Sequence, residues 1–317
     1  MATQTLAEAS RLINNDIVTG IAEEIITLDA FYDLVPFTPF SGQAMVVNYE
    51  STLGDSQFLN VGDTITAKNP MANLTRTFYP TTLIGDVEMN NLVQATSSGA
   101  GVDQLALEIA SKAKKLGRDL QGGLATGDGT LPNMNSVRSL VDGTQTIYAD
   151  GTGAAGGAGL SFELLDQLID KVKAKDGVVD YILMSGSMYN SYKALIRAMG
   201  GNSLDDIVTI PTTANAQRTV IAYEGIPIFK NDFLSVLEGN DGTGAGVFQS
   251  IYAGVFDDGT RRIGGTFIYP EATAGGITTQ MVGTSSTKDE EIYRLRFYGN
   301  FGLCNKLGLA RLAGLTI

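Results

Sequence analysis

Val102–Leu124, VDQLALEIASKAKKLGRDLQGGL, contains the longest helical pattern in the chain. Its apolar residues recur at steps of three and four, which places them along one stripe of a helix. These residues are Leu105, Ile109, Ala113, Leu116 and Leu120. Gly122-Gly123 and then Gly127-Asp128-Gly129 are predicted to end the helix and turn the chain. We expect an arm and a long hairpin before this helix, and a compact body of mixed helices and strands after it.

The same helix carries the densest basic cluster of an acidic protein. Lys112, Lys114, Lys115 and Arg118 lie within seven residues of each other, whereas the whole chain has a formal net charge of −12. That charge argues against nucleic-acid binding as the main activity, because phosphate contacts need concentrated lysine and arginine. Two interpretations of the cluster stay open: a solvated helix face, or contact with an acidic partner surface or nucleic acid.

Composition limits the classes of function. The chain has 317 residues, 44% of them hydrophobic, and a mean hydropathy of +0.07, which indicates a folded protein with a sizeable core. Histidine is absent, so histidine-based acid–base catalysis and most zinc sites are excluded. Cys304 is the single cysteine, so no disulfide forms within the chain. The sequence predicts no catalytic residue, cofactor or metal, and neither a signal peptide nor a transmembrane helix.

The segment before the helix is predicted to project from the body. Ile13, Ile17 and Ile21 follow one another at steps of four, and predict an arm helix that packs on its own domain or on a neighbouring subunit. Gly42–Leu53 and Arg76–Ala95 are strand-like, and a polar, turn-rich stretch of the chain separates them. A connection of roughly twenty residues is unusual inside a compact domain. We therefore expect an open hairpin that another molecule supports.

The segment after the helix alternates helices with strands. Ser161 and Ser185 are predicted to cap helices at Phe162–Lys175 and Met188–Met199. Val178–Met184 between them is nearly all apolar and predicts a buried strand. Further strands are predicted at Gln145–Ala149, Arg218–Tyr223, Ile226–Lys230, Gln249–Phe256, Thr266–Tyr269 and, interrupted at Gly302 and Gly308, within Glu291–Ile317.

A literal G-x-G-x-x-G occurs at Gly151–Gly156, between a predicted strand and a predicted helix. In this position the motif is typical of dinucleotide sites, and it supports a nucleotide-binding enzyme as one alternative. However, the helix begins at Ser161, beyond the third glycine, and the next strand ends in Met184-Ser185 without the acidic residue that holds a ribose. A mobile surface loop is the better interpretation.

The order of these parts resembles the major capsid proteins of tailed bacteriophages, which have the Hong Kong 97 fold. Four local stretches are also similar to that family: GRDLQGGLATGDGT at Gly117–Thr130, DYILMSGSMYNSYKALIRAMGG at Asp180–Gly201, YEGIPIFKNDFL at Tyr223–Leu234 and IYAGVFDDGTRRIG at Ile251–Gly264. The resemblance implies an α+β chain with five parts. They are an N-terminal arm at 1–41, an extended β-hairpin loop at 42–95, a spine helix with the peripheral domain at 96–160, an axial domain at 161–274 and strands returning to the peripheral domain at 275–317.

The resemblance implies a structural protein that assembles into hexamers and pentamers of an icosahedral phage head around double-stranded DNA. An encapsulin-like nanocompartment shell is the alternative on the same fold. Scaffolding, portal and decoration proteins are implied partners, in a virion assembled in the bacterial cytoplasm. Some members of the family crosslink through a lysine of the extended loop; Lys68 is the only hairpin lysine here, and without a matching asparagine we predict no crosslink. The predicted subunit contacts are Phe58, Leu59, Lys68, Ile13, Ile17, Ile21, Lys112, Lys115 and Arg118.

Overall fold

The structure is a computed structural model. It describes residues 31, 34–99, 104–153, 156–173, 178–199, 207–211, 217–235, 237–239, 246–260, 263–273 and 276–316. The predicted arm helix with Ile13, Ile17 and Ile21 lies outside these residues, and the contacts proposed for it stay predictions.

The described residues contain five α-helices and fourteen strands. The helices are α1 (Asn91–Gly99), α2 (Gln104–Thr126), α3 (Val137–Leu140), α4 (Phe162–Lys173) and α5 (Gly186–Ala198). The strands are β1 (Phe37–Phe40), β2 (Met45–Thr52), β3 (Ala72–Phe78), β4 (Thr81–Asn90), β5 (Thr146–Tyr148), β6 (Tyr181–Met184), β7 (Ile207–Pro211), β8 (Gln217–Tyr223), β9 (Ile226–Lys230), β10 (Gln249–Gly254), β11 (Gly265–Pro270), β12 (Thr278–Thr284), β13 (Glu290–Leu303) and β14 (Leu309–Leu315). Short 3₁₀ turns lie at Gly143–Gln145, Asp232–Ser235 and Lys306–Gly308.

Helix α2 lies across a five-stranded sheet. Its apolar stripe packs on β4 and β13, where Leu116 shares a buried cluster with Val87 and Leu295. Leu105, Ile109 and Ala113 flank that cluster, and Leu120 packs against the next one. The stripe predicted from the sequence is therefore confirmed. It fixes the helix along the sheet because burial of these side chains removes apolar surface from water.

The glycine pair in α2 does not end the helix, which corrects the prediction. Gly122 and Gly123 lie inside α2, and the helix continues to Thr126. A methyl group on Gly123 would lie 2.9 Å from the Met134 side chain, and one on Gly122 would touch Phe233 at 3.4 Å. These glycines let neighbouring segments approach the helix closely, a role that has no signature in a helical pattern.

Two glycines, one inside α2 and one directly after it, are predicted to have opposite effects on stability when replaced by alanine. A methyl group on Gly117 meets nothing within 4 Å, so Gly117→Ala should raise the free energy of unfolding by about 0.5–1 kcal/mol through helix propensity. A methyl group on Gly127 would lie 2.2 Å from the Met134 carbonyl oxygen, so Gly127→Ala should lower it by about 1–3 kcal/mol. Urea denaturation measures both shifts, and shifts of the same sign would contradict this packing.

The five-stranded sheet is organised on one long strand. β13 pairs with β4 along most of its length, with β12 in its N-terminal half and with β11 near its C-terminal end, and β1 pairs with β11. The predicted continuous strand at Arg76–Ala95 is wrong. It is divided into β3, β4 and α1, because Pro80 interrupts it and the Asn90 side chain accepts a hydrogen bond from Leu92 N–H at 3.0 Å, which starts the helix.

The second sheet has seven strands in the order β5-β14-β10-β6-β9-β8-β7. Helix α4 packs on it through Leu165, Leu168 and Ile169, and α5 packs on it through Met188 and Tyr192. Both predicted caps are confirmed: Ser161 accepts a hydrogen bond from Leu164 N–H, and Ser185 accepts one from Met188 N–H. The predicted buried strand is β6, whose four residues are all buried.

The two sheets share one core. Phe267 and Phe301 of the five-stranded sheet lie in the same buried cluster as Tyr181 and Tyr252 of the seven-stranded sheet, and Leu124 of α2 joins them. Burial raises the pKa of the Tyr252 phenol to about 12 and raises that of Tyr181 further. Through Leu124, this shared core anchors the C-terminal end of α2 where the two sheets meet.

Strands from different segments of the chain share each of the two sheets. β11, within the segment assigned to the axial domain, pairs in the five-stranded sheet, and β5 and β14, from the flanking segments, pair in the seven-stranded sheet. β7 and β12 are strands that were not predicted, and Gly302 does not interrupt β13. These differences concern partners far apart in sequence, which a local pattern does not encode.

Candidate functional site

The root of the projecting hairpin is buried. β2 and β3 pair antiparallel from Met45↔Phe78 outward. Met45, Val47 and Phe78 are buried with Ile268 of β11 and Cys304, which follows β13. Among the described strands, β2 and β3 pair only with each other, so side-chain packing at the root holds the ribbon to the five-stranded sheet. The described hairpin spans Met45–Phe78, and β4 belongs to the sheet.

The remainder of the hairpin extends into solvent. From Glu50 to Thr75, every side chain is exposed except Gln57 and Ala67, which are half-buried. Two strands without a further partner are marginally stable in water, so this ribbon depends on its root and on whatever covers it. Three of the predicted subunit contacts, Phe58, Leu59 and Lys68, lie on this exposed part.

The tip of the hairpin displays large apolar side chains. Phe58 and Val61 are completely exposed, and Leu59 is 44% exposed. Further exposed apolar residues on the same ribbon are Val46, Leu53, Ile65, Met71 and Leu74. So many exposed large apolar side chains on one ribbon are unusual for a monomeric protein. A groove of 880 Å³ runs beside β2, lined by residues 39–41, 44–50 and Asn305.

The basic residues of the spine helix are largely engaged within the chain. The Lys112 side chain lies over Gly85 of β4, at 3.1 Å from the position of a methyl group there. The Arg118 guanidinium lies 5.5 Å from the centre of the Phe233 ring, and Lys115 forms an exposed ion pair with Asp119 at 2.5 Å. The structure places these three predicted contacts on one helix and leaves Lys115 the most exposed of them.

The opposite face of the five-stranded sheet carries a bidentate ion pair. Arg294 Nε and Nη2 each donate to an Asp86 carboxylate oxygen at 2.8 Å. This hydrogen bonding lowers the pKa of the Asp86 carboxyl below its ordinary value. Asp86 and Arg294 are directly opposite each other on β4 and β13, so the pair fixes the register of these strands.

The described residues of the glycine loop bind a carboxylate of the protein itself. Asp150 Oδ1 accepts a hydrogen bond from Thr152 N–H at 3.0 Å, and Asp150 Oδ2 accepts one from Gly157 N–H at 3.3 Å. In a dinucleotide site, loop amides of this kind face a phosphate. Here they face a negative charge of the protein, which repels phosphate.

A buried ionic cluster joins the spine region to the seven-stranded sheet. Arg311 of β14 donates to Glu238 at 2.6 Å, and Arg138 of α3 lies 3.4 Å from the same carboxylate oxygen. Ser250 donates to the other oxygen of Glu238 and accepts from Arg311 Nε at 3.0 Å. Glu238 and Arg311 are both more than nine-tenths buried. This cluster was not predicted, because three distant parts of the sequence contribute to it.

The part of the chain that the structure describes contains neither a candidate metal site nor a candidate membrane-spanning helix. No group of three or more histidine, cysteine, aspartate or glutamate side chains there could hold a metal ion. Among the same residues we find no helix with the length and apolar content that crossing a bilayer requires. The exposed hairpin is the feature of these residues that most clearly demands a partner.

Comparisons with known proteins identify the fold through structure alone. No family model matches the sequence, and no curated protein matches it. The holo-SrpI encapsulin complex from Synechococcus elongatus PCC 7942 matches with a TM-score of 0.72 and 14% identity, over 100% of this chain and 97% of that chain. The capsid of the native GTA particle matches with a TM-score of 0.63 and 11% identity, over 98% and 97%.

A phage capsid gives a similar match. The structure of Phage G gp27 major capsid proteins and gp26 decoration proteins matches with a TM-score of 0.58 and 13% identity, over 100% of both chains. The matches extend over nearly the whole chain and include its mixed helices and sheets. The chain therefore has the α+β Hong Kong 97 fold of tailed-phage major capsid proteins, as its sequence resemblance predicts.

Proposed function

We propose that the chain is a structural subunit that assembles with copies of itself into a closed shell, and that this shell is a phage head. The observation that carries the proposal is the exposed apolar hairpin on a buried root. Burial of its exposed apolar side chains lowers the free energy only when another molecule covers them. A structural match determined as a capsid with C5 symmetry supports a partner that is a second copy of the same chain.

In this proposal the five parts of the chain have separate tasks. The hairpin within 42–95 lies over an adjacent subunit, and the arm at 1–41 packs against a neighbour. The spine helix in 96–160 is a strut, because its apolar stripe packs along the five-stranded sheet, with Leu116 buried and Leu105, Ile109 and Ala113 partly buried. The segment 161–274 supplies five strands of the seven-stranded sheet, and 275–317 returns to the five-stranded sheet through β12 and β13.

We further propose hexamers and pentamers in an icosahedral head that encloses double-stranded DNA without sequence-specific contacts. The net charge of −12 suits a wall that must release DNA, because such a wall should not bind phosphate tightly. Decoration proteins are proposed partners because one matching structure contains them beside its major capsid proteins. A scaffolding protein and a portal are proposed by analogy with the family, and the location is the virion, assembled in the bacterial cytoplasm.

An encapsulin-like compartment is the second candidate. The encapsulin match has a TM-score of 0.72, higher than the 0.63 of the GTA capsid, and the two chains are nearly coextensive. The contents of purified particles separate the candidates: a phage head packages nuclease-protected DNA in infected cells, whereas a compartment contains a co-purifying protein cargo.

Expression in bacteria followed by negative-stain microscopy and sedimentation tests the proposal. We expect closed particles or capsomer-sized rings built from this one chain. A homogeneous monomer that binds a dinucleotide would overturn the proposal in favour of an enzyme that uses Gly151–Gly156.

The nucleotide alternative makes a separate prediction. Because Asp150 accepts hydrogen bonds from the loop amides, we expect NAD and ATP at millimolar concentration to leave the thermal midpoint unchanged within about 1 °C. A ligand at a hundred times its dissociation constant would instead stabilise the fold by about 2.7 kcal/mol. Differential scanning fluorimetry with matched ionic strength measures this, and a saturable increase would contradict our interpretation of the loop.

A further inference from the structure

The tip of the hairpin shelters the amide side chain of Gln57 and exposes its large apolar side chains. Gln57 and Ala67 are the half-buried residues between Glu50 and Thr75, whereas Phe58, Val61 and Ile65 are exposed. The apolar side chains therefore contribute nothing to holding the tip together. Some other interaction must define its conformation.

The side-chain amide of Gln57 supplies that interaction. Its Oε1 atom accepts hydrogen bonds from Thr66 N–H at 2.9 Å, Thr66 Oγ1 at 2.6 Å and Ala67 N–H at 2.6 Å. Its Nε2 atom donates to the Thr64 carbonyl oxygen at 3.3 Å. One side chain thus joins the outgoing and returning halves of the loop through four hydrogen bonds.

Two smaller contacts complete the frame around Gln57. Asp55 N–H donates to the Asn69 carbonyl oxygen at 3.1 Å, and the Asn69 side chain donates to the Asp55 carboxylate. At the far end, Asp63 N–H donates to Asn60 O at 3.1 Å in a tight turn. Gly62 has a φ of 97° in that turn, a conformation that glycine adopts without strain. The side chain of Val61, in the same turn, is completely exposed.

We propose that Gln57 is a positioning residue that pre-forms the hairpin tip so that its apolar side chains dock on a second copy of this chain. The inference rests on the proposed shell function. A loop that is ordered before docking loses less conformational entropy when it binds, so the same apolar contacts give tighter assembly. The carboxylates of Asp55 and Asp63 are engaged in the frame, which leaves the apolar side chains and Lys68 to face the partner.

Substitution of Gln57 by methionine or glutamate tests the proposal. Methionine has a similar length and no hydrogen-bonding amide, so Gln57→Met removes all four bonds. Glutamate keeps an acceptor for Thr66 and Ala67 and loses only the donation to Thr64. Ser56→Ala is the matched control, because Ser56 is exposed, adjacent and without a side-chain hydrogen bond among the described residues.

Two measurements separate failure of the clamp from failure of the shell. In light scattering, we expect Gln57→Met to raise the critical concentration for assembly at least tenfold, with Gln57→Glu within about threefold of wild type and Ser56→Ala unchanged. In hydrogen exchange on unassembled protein carrying Phe58→Asp, Gln57→Met should speed exchange of the Thr66 and Ala67 amides about tenfold.

Each result counts for or against a specific claim. If Gln57→Met assembles like wild type while Phe58→Asp does not assemble, the positioning role of Gln57 is wrong and the shell proposal stands. If exchange at Thr66 and Ala67 is equally fast in wild type and Gln57→Met, the clamp does not order the tip. If neither wild type nor any variant assembles, the proposed function fails, and the exchange measurement still decides whether the clamp exists.

Discussion

We expect Phe58→Asp to leave the subunit folded and to prevent its assembly. The Phe58 side chain is completely exposed, so its loss should change the free energy of unfolding by less than about 0.5 kcal/mol. In the shell it is covered by a neighbour, where burial of an aromatic anchor contributes about 2–4 kcal/mol per contact and a buried carboxylate adds a desolvation cost. We therefore expect the critical concentration to rise at least a hundredfold, with Leu59→Asp acting in the same direction.

A matched substitution controls for added charge and lost apolar surface. Leu131 is 59% exposed and lies outside the hairpin, so Leu131→Asp makes the same chemical change elsewhere. Circular dichroism should show all three variants folded, and sedimentation should show particles only for wild type and Leu131→Asp. Normal particle yield from both Phe58→Asp and Leu59→Asp would show that the hairpin tip is not a subunit contact.

Glu238→Ala has the largest expected effect on the stability of the subunit itself. The substitution leaves Arg311 buried, 7% exposed, without the carboxylate that it contacts at 2.6 Å, and removes a carboxylate that Arg138 contacts at 3.4 Å. Breaking a buried ion pair by removing one member costs about 3–5 kcal/mol, because the remaining charge loses its compensation. We expect the free energy of unfolding to fall by that amount in urea denaturation. The measurement is made in protein that also carries Phe58→Asp, so that it reports the unfolding of unassembled subunits.

An exposed ion pair provides the comparison. Lys115 and Asp119 are 2.5 Å apart on the surface of α2, with side chains 67% and 42% exposed. Such a pair contributes about 0.3–0.5 kcal/mol, so Asp119→Ala should lower stability no further than that. A loss below about 1 kcal/mol for Glu238→Ala would contradict the view that the buried cluster joins α3 to the seven-stranded sheet.

The features predicted from sequence are those set by neighbouring residues. The stripe from Leu105 to Leu120 follows from helical spacing, and the caps at Ser161 and Ser185 follow from a hydroxyl placed before an apolar periodic run. The exposed hairpin loop followed from its length and polarity, because a compact domain seldom encloses such a connection. Local chemistry and the final fold agree at all of these places.

The features that sequence did not predict depend on distant partners. β4 has a strand pattern, but nothing in it distinguishes β3 from β13 as the partner. Gly122 and Gly123 have the signature of a helix end, and only the approach of Phe233 and Met134 explains why they lie inside α2. Gln57 is one amide in a polar loop, and its role depends on the path by which the chain returns to it.

A cryo-electron microscopy reconstruction of the assembled particle tests the central claim most directly, namely that the hairpin is an intersubunit element of a shell. We predict a closed shell in which the tip at 53–71 lies against a neighbouring copy, with Phe58 and Val61 covered. A shell in which every tip projects into solvent, or an assembly held together entirely by other surfaces, would contradict it.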